Sequence, residues 1–264
     1  WLILAMILQQ TSNLNYIPKR IISLVPSQTE LLSDLGLEDE TVGITKFCVH
    51  PPGWFKTKEK IGGTKTVNID KVLKLQPDLI IANKEENVKE QIDALAADYP
   101  VWVSDINNLA DAMQMIADIG TLTGKSAAAG ALISKISKAF DEMPKMENSL
   151  KTAYLIWREP YMTVGGDTFI NDMMLQGGFE NIFAGLARYP HIDIGDLPMA
   201  HCELLLLSSE PYPFKQKHIN ELSKQLPGIK IILADGEFFS WYGSRMLQSP
   251  AYFTRLIAQI QGIN

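Results

Sequence analysis

Two kinds of hydrophobic pattern follow one another along this chain. Short runs of aliphatic and β-branched residues, such as residues 20–25 and 79–82, predict strands that are buried on both faces. Between the runs, apolar residues recur three and four positions apart, as in residues 109–117, and this spacing places them on one face of a helix. Strands that alternate with helices in this way predict an α/β fold with mostly parallel sheets.

The longest helical pattern covers residues 125–143. Its apolar side chains share one face: Ala128, Leu132, Ile136, Ala139, Phe140 and Met143. Pro144 ends the helix, because proline lacks the backbone N–H that an interior helical residue donates. At ~1.5 Å per residue, the helix measures about 28 Å. It is either a surface helix of one continuous domain or a rigid connection between two lobes.

The segments on either side of this helix favour two lobes, because they repeat one plan. Residues 77–82 and 202–207 each lead from an acidic residue into an apolar strand, and each strand is followed by a polar loop. The sequence therefore predicts two small, Rossmann-like lobes with parallel sheets, joined by one long α-helix, with a ligand cleft between the lobes. The predicted boundaries are residues 1–122 for the N-terminal lobe, 123–148 for the linking helix and 149–264 for the C-terminal lobe.

Local signals add detail to the first lobe. Residues 26–28 contain a proline that breaks the first strand, so we expect a helix over residues 29–35. Residues 46–65 hold two prolines and three glycines and predict a loop of about twenty residues, which is often functional. Asn68 is the expected N-cap of a helix over residues 69–75.

Composition and charge exclude several classes of protein. The hydrophobic share of 46% and the charged share of 20% are typical of a globular chain. A net charge of −6 argues against nucleic acid or an anionic membrane as the main partner. The two cysteines, Cys48 and Cys202, are far apart and form no CxxC motif. The apolar residues 1–8 are too few to span a bilayer; they are the remnant of a signal peptide or a first strand, and no export signal is clear.

Ligand contacts in parallel α/β sheets gather in the loops at the carboxyl ends of the strands. In the first lobe these loops contribute His50, Trp54, Gly63, Thr64, Lys65, Asn83 and Glu85. In the second lobe they contribute Trp157, Arg158, Tyr161, Arg188, Ser209, Glu210, Tyr212, Asp235, Phe239, Trp241, Tyr242 and Arg245. Aromatic rings with a few polar groups suit a large, partly apolar ligand. The alternative for Phe238, Phe239 and Trp241 is that they only close the end of the sheet.

Motifs for covalent catalysis or nucleotide binding are missing from the sequence. It contains no GxSxG, no GxxxxGK[ST] and no GxGxxG. Residues of types that bind metal are present but lack the spacing of a metal site: Cys48, His50, Glu86, His191, His201 and His218. No metal site is therefore predicted. An α/β hydrolase or transferase that uses Ser209, Glu210 and His191 is the alternative from another class.

Several segments, in this order, resemble the helical-backbone substrate-binding proteins of ABC importers. They are residues 20–30 (RIISLVPSQTE), Pro51-Pro52, Gly62-Gly63, residues 75–81 (LQPDLII) and residues 235–245. The resemblance runs from about Pro18 to Gln261, and its nearest subgroup is the cobalamin-binding proteins.

This resemblance implies a binding protein rather than an enzyme, with no cofactor of its own. We expect a monomer of the periplasm or cell envelope that binds cobalamin or a related corrinoid and delivers it to a membrane ABC permease. A ferric siderophore, haem or a metal ion is the alternative ligand within the class. The resemblance assigns ligand contacts to His50, residues 63–65, residues 157–161, Asp235, Trp241, Tyr242 and Arg245. It assigns permease docking to Asp70 and, in the second lobe, to Asp196 or Asp193, of which we choose Asp196.

Overall fold

The computed structural model describes residues 7–8, 11, 14–146 and 148–262, which form two compact units. The first unit contains the described residues up to Ile106, together with Ala110–Lys135 and Tyr242–Arg245. The second contains Asn107–Leu109, Ile136–Trp241 and the described residues from Met246 onward. The chain therefore passes from one unit to the other several times.

The first unit is built on a six-stranded sheet in the order β1-β6-β5-β2-β3-β4, and all its pairings are parallel. Its strands are β1 (Ile7–Leu8), β2 (Ile21–Ser23), β3 (Thr41–Ile44), β4 (Glu59–Lys60), β5 (Leu79–Asn83) and β6 (Val101–Ser104). Its helices are α1 (Pro26–Asp34), α2 (Pro52–Thr57), α3 (Ile69–Leu75) and α4 (Lys89–Ala96), followed by α5 (Leu109–Leu122) and the start of α6 (Ser126–Asp141). The strands β2 and β5 are wholly buried, which explains their uninterrupted apolar runs.

The second unit is built on a four-stranded sheet in the order β10-β9-β7-β8, and all its pairings are parallel. Its strands are β7 (Leu150–Leu155), β8 (Phe179–Asn181), β9 (Leu204–Ser208) and β10 (Lys230–Ala234). Its helices are α7 (Phe169–Gln176), α8 (Gln216–Gln225), α9 (Glu237–Ser240) and α10 (Ser249–Gln261), with a 3-10 helix at Ile194–Asp196. The prediction of an α/β fold with two parallel sheets is confirmed.

The loop predicted for residues 46–65 is wrong in its central part. Helix α2 begins at Pro52, where proline is well tolerated because the first turn of a helix has no partner for its N–H groups. Helix α1 likewise begins at Pro26 and not at residue 29. In both places proline starts a helix where we expected it to break the chain.

The long helix forms as α6, Ser126–Asp141, two residues shorter at its C-terminus and one at its N-terminus than predicted. The division between the two units falls inside it, after Lys135. The predicted domain boundaries at residues 122 and 148 stay a prediction.

The apolar N-terminal run is described only at Ile7–Leu8, which pairs with β6 at the edge of the sheet. Residues 1–6 of that run lie outside the described residues. Among the residues that are described, no helix is both long and apolar enough to cross a membrane.

Candidate functional site

The carboxyl edge of the first sheet carries a tight turn around Gly62 and Gly63. The Nδ2 atom of Asn87 donates to the Thr64 carbonyl at 3.1 Å, and the Lys65 Nζ donates to the Glu85 carbonyl at 2.6 Å. Gly62 has a φ of +104°, and a Cβ atom there would lie 2.3 Å from the Thr66 carbonyl oxygen, so the turn requires glycine. The turn is thereby fastened to the loop that follows β5.

Asn83 organises that second loop. It is 2% exposed, and its Oδ1 accepts hydrogen bonds from the backbone N–H groups of Glu85 and Glu86 at 2.8 and 3.0 Å. Its Nδ2 donates to the Ser104 carbonyl at 3.2 Å. Asn83 was predicted to contact ligand, and the structure places it beneath the loop, where it holds Glu85 and Glu86 in position.

Phe47 is an exposed ring in the first unit that the sequence analysis did not single out. It follows β3 and is 51% exposed, and the adjacent Val49 is 41% exposed. A Cβ atom on Gly63 would approach the ring to 3.0 Å, so Phe47 lies directly against the glycine turn. The Nζ of Lys46 lies 5.1 Å from the ring centroid. The signal available in the sequence was an aromatic residue three positions after the end of β3.

Tyr242 and Arg245 were predicted to belong to the second lobe, and the structure corrects this. The Tyr242 hydroxyl donates to Glu86 Oε1 at 2.8 Å, and burial raises the pKa of this hydroxyl well above its ordinary value. Arg245 forms a two-pronged ion pair with Glu30, with Nε and Nη2 at 2.9 and 2.6 Å from the carboxylate oxygens. Both residues are part of the first unit.

At the carboxyl edge of the second sheet, Trp157 lies two residues after the end of β7. Trp157 is 41% exposed, and its ring meets Tyr212 edge to face at a centroid distance of 5.8 Å. Arg158 forms ion pairs with Glu221 at 3.0 Å and Glu159 at 3.4 Å. This edge therefore offers a supported, accessible aromatic ring beside a charged side chain whose charge is already balanced.

Trp241 and Glu210 form a buried polar pair in the second unit. Glu210 Oε1 accepts from Trp241 Nε1 at 2.9 Å and from the Ser240 hydroxyl at 2.6 Å. Burial raises the pKa of the Glu210 carboxyl, although the Ser240 hydrogen bond acts in the opposite direction. Trp241 is 8% exposed, so this hydrogen bond to Glu210 gives its buried indole N–H an acceptor.

Two predicted ligand contacts lie in the interior. Phe239 is 0% exposed and packs among Tyr154, Phe179 and Phe253 at centroid distances of 5.0, 6.3 and 4.8 Å. Trp54 is 3% exposed. For Phe239, the alternative that the ring closes the sheet end describes its position.

The remaining predicted contacts lie at the same two edges. His50 is partly buried after β3, and Tyr161 is partly buried in the segment after β7. Asp235 is exposed after β10; its backbone N–H donates to the Tyr252 hydroxyl at 2.7 Å, and its Oδ1 accepts from Glu237 N at 3.2 Å. Arg188 is exposed in the loop after β8.

The three residues proposed for a hydrolase have separate partners. The Ser209 hydroxyl accepts from Gly236 N at 2.9 Å, whereas the Glu210 carboxyl serves Ser240 and Trp241. His191 pairs with Met162 through its backbone.

Within the described part of the chain, no group of three or more residues of metal-binding types comes together at one point. The two cysteines are buried free thiols.

The two predicted docking acids are exposed. Asp70 lies in the first turn of α3, where Asn68 Oδ1 accepts from Lys71 N at 3.0 Å and caps the helix as predicted. Asp196 ends the 3-10 helix, and Asp193 caps that helix by accepting from Gly195 N at 2.8 Å. Asp193 is thus engaged locally, while Asp196 stays the docking candidate.

Several known proteins are similar to this chain in sequence or in fold. A vitamin B12-binding protein of Vibrio campbellii is 27% identical over 210 residues, covering 78% of this chain and 76% of that protein. An uncharacterized ABC transporter substrate-binding lipoprotein of Bacillus subtilis, YvrC, is 30% identical over 169 residues, covering 60% of this chain and 53% of that protein. The solved apo form of the periplasmic heme-binding protein RhuT from Roseiflexus sp. RS-1 has a TM-score of 0.77 at 21% identity, covering 93% of this chain and 99% of that one.

The two units, each built on a parallel sheet, give this chain the α/β fold of that solved periplasmic protein. The family model described as periplasmic binding protein matches residues 21–225, and this chain belongs to that family. Members of the family are transport proteins that bind substrates and are not enzymes, so the hydrolase alternative is set aside.

Proposed function

We propose that this protein is the substrate-binding component of an ABC importer and that its ligand is cobalamin or a related corrinoid. It binds the ligand outside the cytoplasmic membrane and delivers it to a membrane permease. In the second unit, Trp157 is the proposed stacking surface. In the first unit, the Gly62-Gly63 turn with Phe47 is the proposed ligand contact.

One observation carries the proposal: Trp157 is 41% exposed although its ring is fixed edge to face against Tyr212. A tryptophan held rigidly and left accessible loses little entropy when a flat macrocycle covers it. Covering most of such a ring contributes about 1.5 to 3 kcal/mol. Phe47, at 51% exposure against Gly63, repeats the arrangement in the first unit.

The named relatives support the same class of function. The Vibrio campbellii relative is named for vitamin B12, and the Bacillus subtilis relative for an ABC transporter. These relatives, at 27% and 30% identity, support the transport role. The choice of macrocycle is argued from the residues of the site.

Haem is the second candidate ligand, with a ferric siderophore or a metal ion behind it. Exposed rings accept any planar macrocycle, and the fold relative RhuT is described as heme-binding.

Asp70 and Asp196 are the proposed permease contacts, one on each unit. Both are exposed carboxylates at short helices, which suits pairing with arginines of a partner at a salt-sensitive interface. We further propose that the protein acts as a monomer in the periplasm or at the cell envelope, and that the long helix α6 links the two lobes.

The test is native mass spectrometry of the purified protein with a panel of cobalamin, cobinamide, haem and ferric siderophores. We expect a one-to-one complex with the corrinoids. A complex with haem alone would replace the corrinoid by the second candidate. If no member of the panel binds, the transport proposal itself is contradicted.

A further inference from the structure

Tyr212 is in contact with the accessible ring of Trp157 in the second unit. The two rings meet edge to face, with 5.8 Å between their centroids and 71° between their planes. They follow neighbouring strands, since β7 ends at Leu155, which lies opposite Leu207 of β9. The backbone N–H of Tyr212 donates to the Ile156 carbonyl at 3.2 Å. The two segments are therefore bonded to each other directly before Trp157, and the backbone brings the two rings together.

Tyr212 also packs on two buried rings. Its ring centroid lies 4.7 Å from that of Phe214 and 5.5 Å from that of His218. Phe214 and His218 meet each other at 5.4 Å, with 86° between their planes, and they are 4% and 2% exposed. Tyr212 therefore connects the interior of the second unit with the accessible Trp157.

His218 is in turn fixed at the start of helix α8. Its Nδ1 accepts from the Lys215 backbone N–H at 2.8 Å. Burial lowers the pKa of this imidazole, so at neutral pH it is uncharged and its proton is on Nε2. Nε2 lies 3.4 Å from the Tyr212 hydroxyl oxygen. His218 is a residue of a metal-binding type, and both of its ring nitrogens are used inside the protein.

We infer that Tyr212 is a positioning residue, which holds the Trp157 indole ready for a macrocycle to stack on it and does not contact the ligand itself. This rests on the proposed function, in which Trp157 is the stacking surface, and it replaces the ligand contact expected for Tyr212. A ring that is already ordered in the free protein loses less conformational entropy on binding than a mobile ring. The Tyr212 hydroxyl, in contact with the buried His218, suits this supporting role.

A double-mutant cycle separates support of Trp157 from direct contact with the ligand. Cobalamin is titrated calorimetrically into the wild type, Tyr212→Leu, Trp157→Ala and the double variant. Tyr212→Leu alone should bind about threefold to tenfold more weakly, because the freed indole must be ordered on binding. In the Trp157→Ala background the same substitution should leave the affinity unchanged, since no indole is left to position.

Two further variants control for the substitution itself. Tyr212→Phe keeps the ring and loses only the hydroxyl, so its affinity should lie within about twofold of the wild type. Tyr99→Leu is the matched control, since Tyr99 is also a partly buried tyrosine packed against a hydrophobic core. It lies in the first unit, two residues before β6, and its replacement should leave the affinity unchanged.

Fluorine NMR of protein labelled with fluorotryptophan gives a readout that needs no ligand. The resonances of Trp157 and Trp54 are assigned by their loss in Trp157→Phe and Trp54→Phe. In the wild type we expect the Trp157 line to be as broad as that of Trp54, which is 3% exposed, although Trp157 is 41% exposed. In Tyr212→Leu the Trp157 line should narrow and move toward that of the free amino acid, whereas in Tyr212→Phe it should not. A narrow Trp157 line in the wild type would overturn the inference, even if Tyr212→Leu does not fold.

Wild-type binding of cobalamin tests the proposed function, whereas the double-mutant cycle tests the inference. Equal losses from Tyr212→Leu in both backgrounds, or no loss in either, overturn the positioning role while corrinoid binding stands. If the wild type binds haem and no corrinoid, haem is the titrant in the same cycle. If it binds neither, the proposed function is contradicted and the inference fails with it.

Discussion

The hydroxyl of Tyr242 donates a hydrogen bond of 2.8 Å to Oε1 of Glu86, a residue 156 positions earlier in the chain. Together with the ion pair between Arg245 and Glu30, it fastens residues 242–245 to the first unit. The neighbouring Trp241 belongs to the second unit, where it donates to Glu210. The stretch that the sequence presents as one aromatic segment therefore has two different attachments.

Tyr242→Phe removes the hydroxyl and leaves the packing of the ring intact. We expect it to lower the free energy of unfolding by about 1 to 2 kcal/mol, because the partly buried Glu86 carboxylate loses the hydrogen bond donated by a buried hydroxyl. Urea unfolding followed by circular dichroism measures the change. Tyr16→Phe is the matched control, since Tyr16 is 43% exposed and its hydroxyl donates to the Asp78 carbonyl at the same 2.8 Å. Equal losses in the two variants would mean that the Tyr242 bond is no stronger than an exposed one.

Glu210→Gln should become more stable relative to the wild type as the pH rises. Burial raises the pKa of Glu210 above its ordinary value of 4.5, so between the two values the folded state binds more protons than the unfolded state. Wild-type stability then falls as the pH rises through that interval, whereas glutamine does not titrate and keeps an acceptor oxygen for Trp241. Unfolding of both variants from pH 4 to pH 7 measures the difference. A difference independent of pH would show that Glu210 titrates normally in the folded protein.

Two glycine substitutions should change the free energy of unfolding in opposite directions. In Gly62→Ala the new Cβ atom would lie 2.3 Å from the Thr66 carbonyl oxygen at a φ of +104°, so we expect a loss of about 1 to 3 kcal/mol. In Gly130→Ala, on helix α6, nothing lies within 4 Å, and alanine should stabilise by up to about 1 kcal/mol. Thermal unfolding of the two variants beside the wild type measures both. A neutral Gly62→Ala would mean that the turn relaxes without strain.

The fold could be predicted from the hydrophobic pattern because strands β2, β5 and β9 are parallel and buried at every position, so each appears in the sequence as an apolar run. Strand β9 (Leu204–Ser208) and the cap of α3 by Asn68 appear where the pattern placed them. Helix α2 was missed since a run of two prolines, Pro51 and Pro52, reads as a loop until the first is recognised as the residue before a helix.

The site was harder to predict, because its geometry depends on contacts between distant residues. The sequence around Arg245 does not indicate that its guanidinium pairs with Glu30, 215 positions away. Asn83 sits at a strand end, as ligand contacts do, yet its side chain is used entirely within the protein. Phe47 could have been found, since an aromatic residue after a buried strand is the same signal that singled out Trp157.

The most direct test of the account is calorimetric titration of cobalamin into the wild type, Trp157→Ala and Trp157→Phe. We predict one-to-one binding by the wild type, a loss of at least about tenfold in affinity for Trp157→Ala, and recovery of most of that loss in Trp157→Phe, because a stacked ring contributes about 1.5 to 3 kcal/mol. A flat titration with the wild type, or binding that is unchanged in Trp157→Ala, would contradict the account.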